Sequence, residues 1–177
     1  MRSENLFLAV LLLNVFSYIT IILRPKLFGV ELYRPMIKNF KLSILPFIVL
    51  LLNFAVFIIL SYISITRPAL RTFAIGVYFV GLVVWLLLLP NSGYLITELN
   101  LNHRSIENDE VPIWYDIVSI LSFALSGIVN TLGNIVLIQL TYMVYLDPPT
   151  ITTKMQWMLV LSAVLLNILV SIGVYLG

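Results

Sequence analysis

The sequence predicts an all-α, polytopic membrane bundle of about five transmembrane spans, with a short interfacial helix after span three. Three observations predict it. Hydrophobic residues make up 61% of the 177 residues and charged residues only 10%. Soluble domains carry about 25% charged residues, so this chain has too little polar surface to cover a globule in water. Several apolar stretches reach the roughly 20 residues that a helix needs to cross the hydrocarbon core. The charges fall mainly between those stretches, and residues 1–177 read as one integral membrane domain.

Each element has its own local reason. Span one runs from Leu6 to Leu23. Arg2 ahead of Leu6 to Leu13 imitates a signal peptide, but Asn14 to Thr20 offer no small-x-small cleavage site, so the stretch reads as a retained span. Loop one, Arg24 to Lys41, holds Arg24, Lys26, Arg34, Lys38 and Lys41 together with Pro25 and Pro35. Span two runs from Leu42 to Ile65 and span three from Phe73 to Leu89. Pro90 ends span three because it has no backbone N–H to donate. Asn91 and Ser92 are good N-caps for a new short helix. That helix is expected to lie on the bilayer with Leu95, Ile96 and Leu99 beneath it and Tyr94, Thr97, Glu98 and Leu101 sharing a face.

Pro112 suits the first turn of span four, and Trp114 and Tyr115 sit where an aromatic belt belongs. Span four, Ile113 to Leu146, would reach roughly 50 Å at the helical rise, longer than one crossing needs. It reads either as one long tilted helix or as a helix broken within GIVNTLGN, Gly127 to Asn134. Glycine there lowers helix propensity and permits close backbone approach, so a bend, a break or a packing contact is expected. Span five runs from Trp157 to Leu176.

Charge sets an orientation and excludes several functions. Loops one and three hold six of the ten basic residues, and Arg2, Arg67, Arg71 and Lys154 hold the other side. The positive-inside rule then places the N-terminus outside and the C-terminus in the cytoplasm, for a multi-pass protein of the cell membrane. A net charge of +2 argues against nucleic acid. With no cysteine, disulfides, thiolate metal sites and Cys nucleophiles are all excluded. No phosphate-binding loop, zinc-protease or nucleophile-elbow motif is present, and the cofactor is left open.

Chemistry is expected at loop three. Six of the eight acidic residues lie between Glu98 and Asp147, and the loop holds the one histidine, His103, with Glu107, Asp109 and Glu110. Asn91, Tyr94, Thr97, Glu98, Trp114 and Asp116 are the candidate ligand-binding residues. Two carboxylates with an amide and a phenol suit a cation, a headgroup amine or a small polar ligand, and carboxylate oxygens suit Mg²⁺ or Ca²⁺. The competing reading is a wet acidic loop, with Asp116 merely matched to the helix dipole. Asparagines in four spans (Asn14, Asn53, Asn130 with Asn134, and Asn167) and Gln139 read as amides that bind helices together rather than as a polar path.

The segments LPNSGYLITEL, VPIWYD and LSFALSG resemble the bacterial membrane proteins of the domain of unknown function 1361 family. The matching positions are Pro90, Asn91, Tyr94, Thr97 and Glu98, then Trp114, Tyr115 and Asp116, then Ser122, Phe123 and Ala124. Glu98 stands where that family usually has Asp, and His103 is displaced from the family's histidine position. The family pattern continues beyond the point where this chain reaches Tyr175, Leu176 and Gly177, so a short member or a missing end is expected. The resemblance implies a membrane location and no particular activity. The leading reading is a ligand-binding membrane protein with its site at the cytoplasmic rim. The alternatives are an enzyme acting on a lipid-linked substrate through Glu98 and Asp116, and an assembly partner of another membrane protein.

Overall fold

Long apolar stretches leave the backbone no water to bond with in lipid, so each must close its hydrogen bonds within a helix. The structure, a computed structural model, describes residues 3–32, 34–67, 69–99, 111–146 and 150–176. Among these residues the chain is helical apart from short connections, with α1 (Ser3–Phe28), α2 (Arg34–Ser64), α3 (Ala69–Leu88), a 3-10 helix η1 (Leu89–Leu99), α4 (Ile113–Leu146) and α5 (Thr153–Leu176). Five of the helical segments are long and apolar enough to cross a membrane. The protein is therefore a multi-pass bundle suited to a lipid bilayer.

Local signals set the helix ends. α1 closes at Gly29, whose φ of 69° is the left-handed conformation that glycine adopts freely, and the Gly29 N–H donates to the Pro25 carbonyl at 3.0 Å. Pro112 opens α4 as expected, and its carbonyl accepts the Tyr115 N–H at 2.9 Å. Thr152 caps α5, its Oγ1 accepting the Met155 N–H at 3.3 Å.

The segment after α3 differs from the expected surface helix. A short helix does follow Pro90, but it is a 3-10 helix packed inside the bundle against α2, α4 and α5. Leu89, Ser92 and Leu95 are fully buried. Leu95 does not face the bilayer; it belongs to a core cluster with Ile21, Met36, Phe40 and Phe123. Small residues permit this close packing. A Cβ on Gly93 would lie 2.6 Å from Val170 Cγ1, and one on Gly173 would collide with the Pro90 ring. Of Glu98 and Leu99 the backbone alone is described.

α4 is the central element, with 56% of its apolar window buried against 6% for α5. Its helix continues unbroken through the Gly127–Asn134 segment. The packing contact expected there is present: a Cβ on Gly127 would stand 3.0 Å from Leu95 Cβ, so η1 lies directly on that glycine. A second cluster, Leu50, Trp85, Leu89 and Val170, joins α2, α3, η1 and α5.

Candidate functional site at the end of a buried polar seam

Polar residues recur along α4 at Asp116, Ser119, Phe123-flanking Ser122, Ser126, Asn130 and Asn134, and along α1 at Asn14, Ser17, Thr20 and Arg24. Steps of three and four residues keep these positions near one helix face. The two helices meet along these faces and run antiparallel. Asn14 Nδ2 donates to Asn130 Oδ1 at 2.9 Å, and Asn130 Nδ2 returns a bond to Asn14 Oδ1 at 3.1 Å. Ser17 and Ser126 share a hydroxyl bond at 2.8 Å. The Ser119 hydroxyl donates to Thr20 Oγ1 at 3.2 Å, and the Tyr115 hydroxyl to the Thr20 carbonyl at 2.7 Å.

The seam branches toward α2, η1 and α3. Asn130 Nδ2 also donates to Ser43 Oγ at 3.0 Å, and Ser43 Oγ donates to the Ser92 carbonyl at 2.7 Å. Ser92 and Thr131 share a hydroxyl bond at 2.9 Å, and Trp85 Nε1 donates to Asn134 Oδ1 at 3.0 Å. Among the described residues no buried side-chain nitrogen or oxygen lacks a partner. Such bonds between membrane helices average about 0.6 kcal/mol each, so the seam holds helices in register. Asn53 fits the same reading, donating to the Tyr78 carbonyl at 3.1 Å. Asn167 does not: it is exposed and bonds back to Ala163 of its own helix.

The seam ends at an ion pair. Arg24 Nε donates to Asp116 Oδ1 at 2.9 Å, and the Asp116 side chain is 5% exposed. The partner of Asp116 among the described residues is thus on α1, not among the candidate residues grouped with it in the sequence. The reason is the antiparallel register of α1 and α4, which brings residues 92 positions apart together. Phe28 and Trp114 both pack edge-on against Tyr115 beside the pair. A recess of about 10 Å³, bounded by Ile21, Arg24, Glu31, Met36, Asp116 and Ser119 among others, opens there. That is the size of a single water site.

The candidates on η1 lie along the bundle from this end, since their neighbour Ser92 bonds Thr131, about 22 Å from Asp116 along α4. Asn91 and Tyr94 are half-buried in η1, and Trp114 is exposed. The Thr97 hydroxyl donates to the Tyr94 carbonyl at 2.7 Å. The Glu98 side chain, His103, Glu107, Asp109 and Glu110 lie outside the described residues. No group of three metal-ligating side chains occurs among the described residues. Sequence reasoning missed Arg24, Ser17, Thr20, Ser43 and Ser126 as parts of one network. The three-and-four spacing of small polar residues on α1 and α4 was the available signal.

A larger cavity lies elsewhere. Between α3, α4 and α5 a crevice of about 500 Å³ is lined by Tyr78, Leu82, Trp85, Ile138, Gln139, Tyr142, Met158, Leu159, Ser162, Leu165 and Leu166. Gln139 bridges its wall, with Nε2 donating to the Leu159 carbonyl at 2.7 Å and to Ser162 Oγ at 3.1 Å. No sequence pattern pointed to it.

No curated protein and no solved structure matches the chain. The family described as "Protein of unknown function (DUF1361)" matches residues 39–177, which takes in most of α2, all of η1 and the helices α3, α4 and α5, and leaves Arg24 outside the match. With that match over most of its length, and with the Pro90–Glu98 and Trp114–Asp116 segments inside it, the chain belongs to the DUF1361 family.

Proposed function

We propose that this protein binds a lipid-like amphiphile taken from the bilayer into the crevice between α3, α4 and α5. The observation that carries this reading is the crevice itself, whose volume of about 500 Å³ falls within the roughly 300–1,000 Å³ of small-molecule sites. Its walls are mostly apolar; the Gln139 Nε2 and Ser162 hydroxyl hydrogens are donated within the protein, so Gln139 Oε1 adds a polar point that accepts from a ligand hydroxyl. α5 packs chiefly on η1 and little on α4, so its crevice side is free to yield. Met158 and Leu165 are about half-exposed on the crevice wall. Met158→Trp and Leu165→Trp should narrow it and lower the lipid retained after mild-detergent purification by at least about tenfold, a difference of about 1.4 kcal/mol. Native mass spectrometry reads this directly. An unchanged lipid complement in both variants refutes the crevice as the site.

The Arg24–Asp116 pair favours a second reading, since ionisable groups at the ends of apolar helices mark functional sites. A polar or lipid-headgroup ligand would sit at this rim against Asp116 and Trp114, with Thr97 and Glu98 at the end of η1 nearest it and Tyr94 and Asn91 further along the bundle. Arg24 neutralises Asp116, which favours a zwitterionic group over a bare cation. The excess of Lys and Arg in loops one and three supports a cytoplasmic position for this rim, with the N-terminus outside and the C-terminus inside.

A further inference from the structure

The first three turns of α2 have two opposite faces. Met36, Phe40 and Ser43 are buried, and Phe40 stacks on Tyr18 and Phe123 at ring separations of 5.3 and 5.6 Å. Arg34, Lys38 and Lys41 are exposed. Their spacing of four and then three residues aligns them as one row along the helix. Lys26, exposed in the last turn of α1, adds a fourth cation at the same end. Among the described residues the one ion pair is Arg24 with Asp116, so none of these four cations has a carboxylate partner there. From Leu42 onward α2 carries no charge. The row therefore stops where the apolar length begins, at the depth of lipid headgroups.

We infer that the exposed face of Arg34, Lys38 and Lys41 is a docking surface for anionic phospholipid headgroups. Charge complementarity carries the assignment: an exposed row of cations, without a carboxylate partner among the described residues, lies beside an apolar span and meets the negative phosphates of the leaflet. The row extends about 10 Å along the helix at 1.5 Å per residue. That length fits neighbouring headgroups and exceeds a single free phosphate. The buried Met36–Phe40 face holds the row in place, so the surface is preformed. This surface is independent of the crevice. Phe123, which packs under Phe40, and Ile138, which lines the crevice, are separated by about 22 Å along α4 at the same rise.

The full chain in neutral detergent micelles is titrated with fluorescent dioleoylphosphatidylglycerol, with dioleoylphosphatidylcholine as the zwitterionic comparison. The intact protein should prefer phosphatidylglycerol. Each of Arg34→Gln, Lys38→Gln and Lys41→Gln should weaken its binding about fivefold, and the triple variant about a hundredfold. Lys38→Arg should retain binding, and higher salt should weaken it. The triple Arg67→Gln, Arg71→Gln, Lys154→Gln, which removes exposed charges elsewhere in the fold, should leave it within twofold. Leu165→Trp should leave the headgroup preference intact even where it abolishes crevice binding. Equal losses in the two triple variants, no preference over phosphatidylcholine, or displacement of the probe by inorganic phosphate at matched concentration would each overturn the proposal.

Discussion

Breaking the Arg24–Asp116 pair one side at a time should give unequal costs. Arg24→Met leaves a carboxylate that is 5% exposed without its counter-charge, facing a recess that is also bounded by Glu31 and Ser119. Removing one partner of a buried pair costs about 3–5 kcal/mol. Arg24 is itself 19% exposed, so some solvent reaches the pair and the low end, about 3 kcal/mol, is expected. Asp116→Leu leaves a guanidinium on a long stem that can swing toward water, and about 1–2 kcal/mol is expected. Removing both charges together is often near neutral, because two desolvation penalties disappear with one attraction. The double variant should therefore cost about 1 kcal/mol, giving a coupling energy of about 3 kcal/mol. Reversible unfolding in mixed micelles, followed by tryptophan fluorescence, measures all three variants. Hydrogen exchange should show the loosening in Ile21–Phe28 of α1, where the arginine is anchored. If Asp116→Leu costs as much as Arg24→Met, or if the double variant equals the sum of the singles, the pair is not the buried anchor described here.

Two further outcomes follow from packing and charge. Gly173→Ala forces a methyl into the Pro90 ring, and overpacking of this kind should destabilise the α5–η1 contact by about 1–3 kcal/mol in the same unfolding assay; a neutral result would mean that α5 does not sit against Pro90. Because the chain has no cysteine, single cysteines at the exposed positions Lys38 and Lys154 report sidedness cleanly. The Lys154→Cys site should label with an impermeant thiol reagent in intact cells and the Lys38→Cys site should not, and the reverse pattern would invert the orientation.

The sequence by itself determined the span count, the position of α4 and the environment of the protein. These depend on quantities a single segment carries: the length of an apolar run, the place of Pro112, the scarcity of charge. α4 starts and stops where its apolar run does, Ile113 to Leu146. The contact at Gly127 was legible for a similar reason, since a glycine in an apolar helix marks close approach whatever the neighbour. Asn14, Asn53, Asn130 and Asn134 were legible as helix glue because an amide in hydrocarbon must find a partner, while Asn167 satisfies itself on its own helix.

The tertiary structure alone decided who the partners are. Pro90, Asn91 and Ser92 announced a break and a restart, but an amphipathic short helix reads alike whether its apolar side meets lipid or protein. Gly93 and Gly173, distant in sequence, let α5 close over η1 and turn that segment inward. Asp116 signalled a charge near a helix start, and its neutralisation by Arg24 depends on the register of α1 against α4. The crevice is the gap left where α5 leans on η1 rather than on α4. Periodicity along one helix tells which face is buried; the partner, the register and the gaps between helices are properties of pairs, and only the assembled bundle sets them.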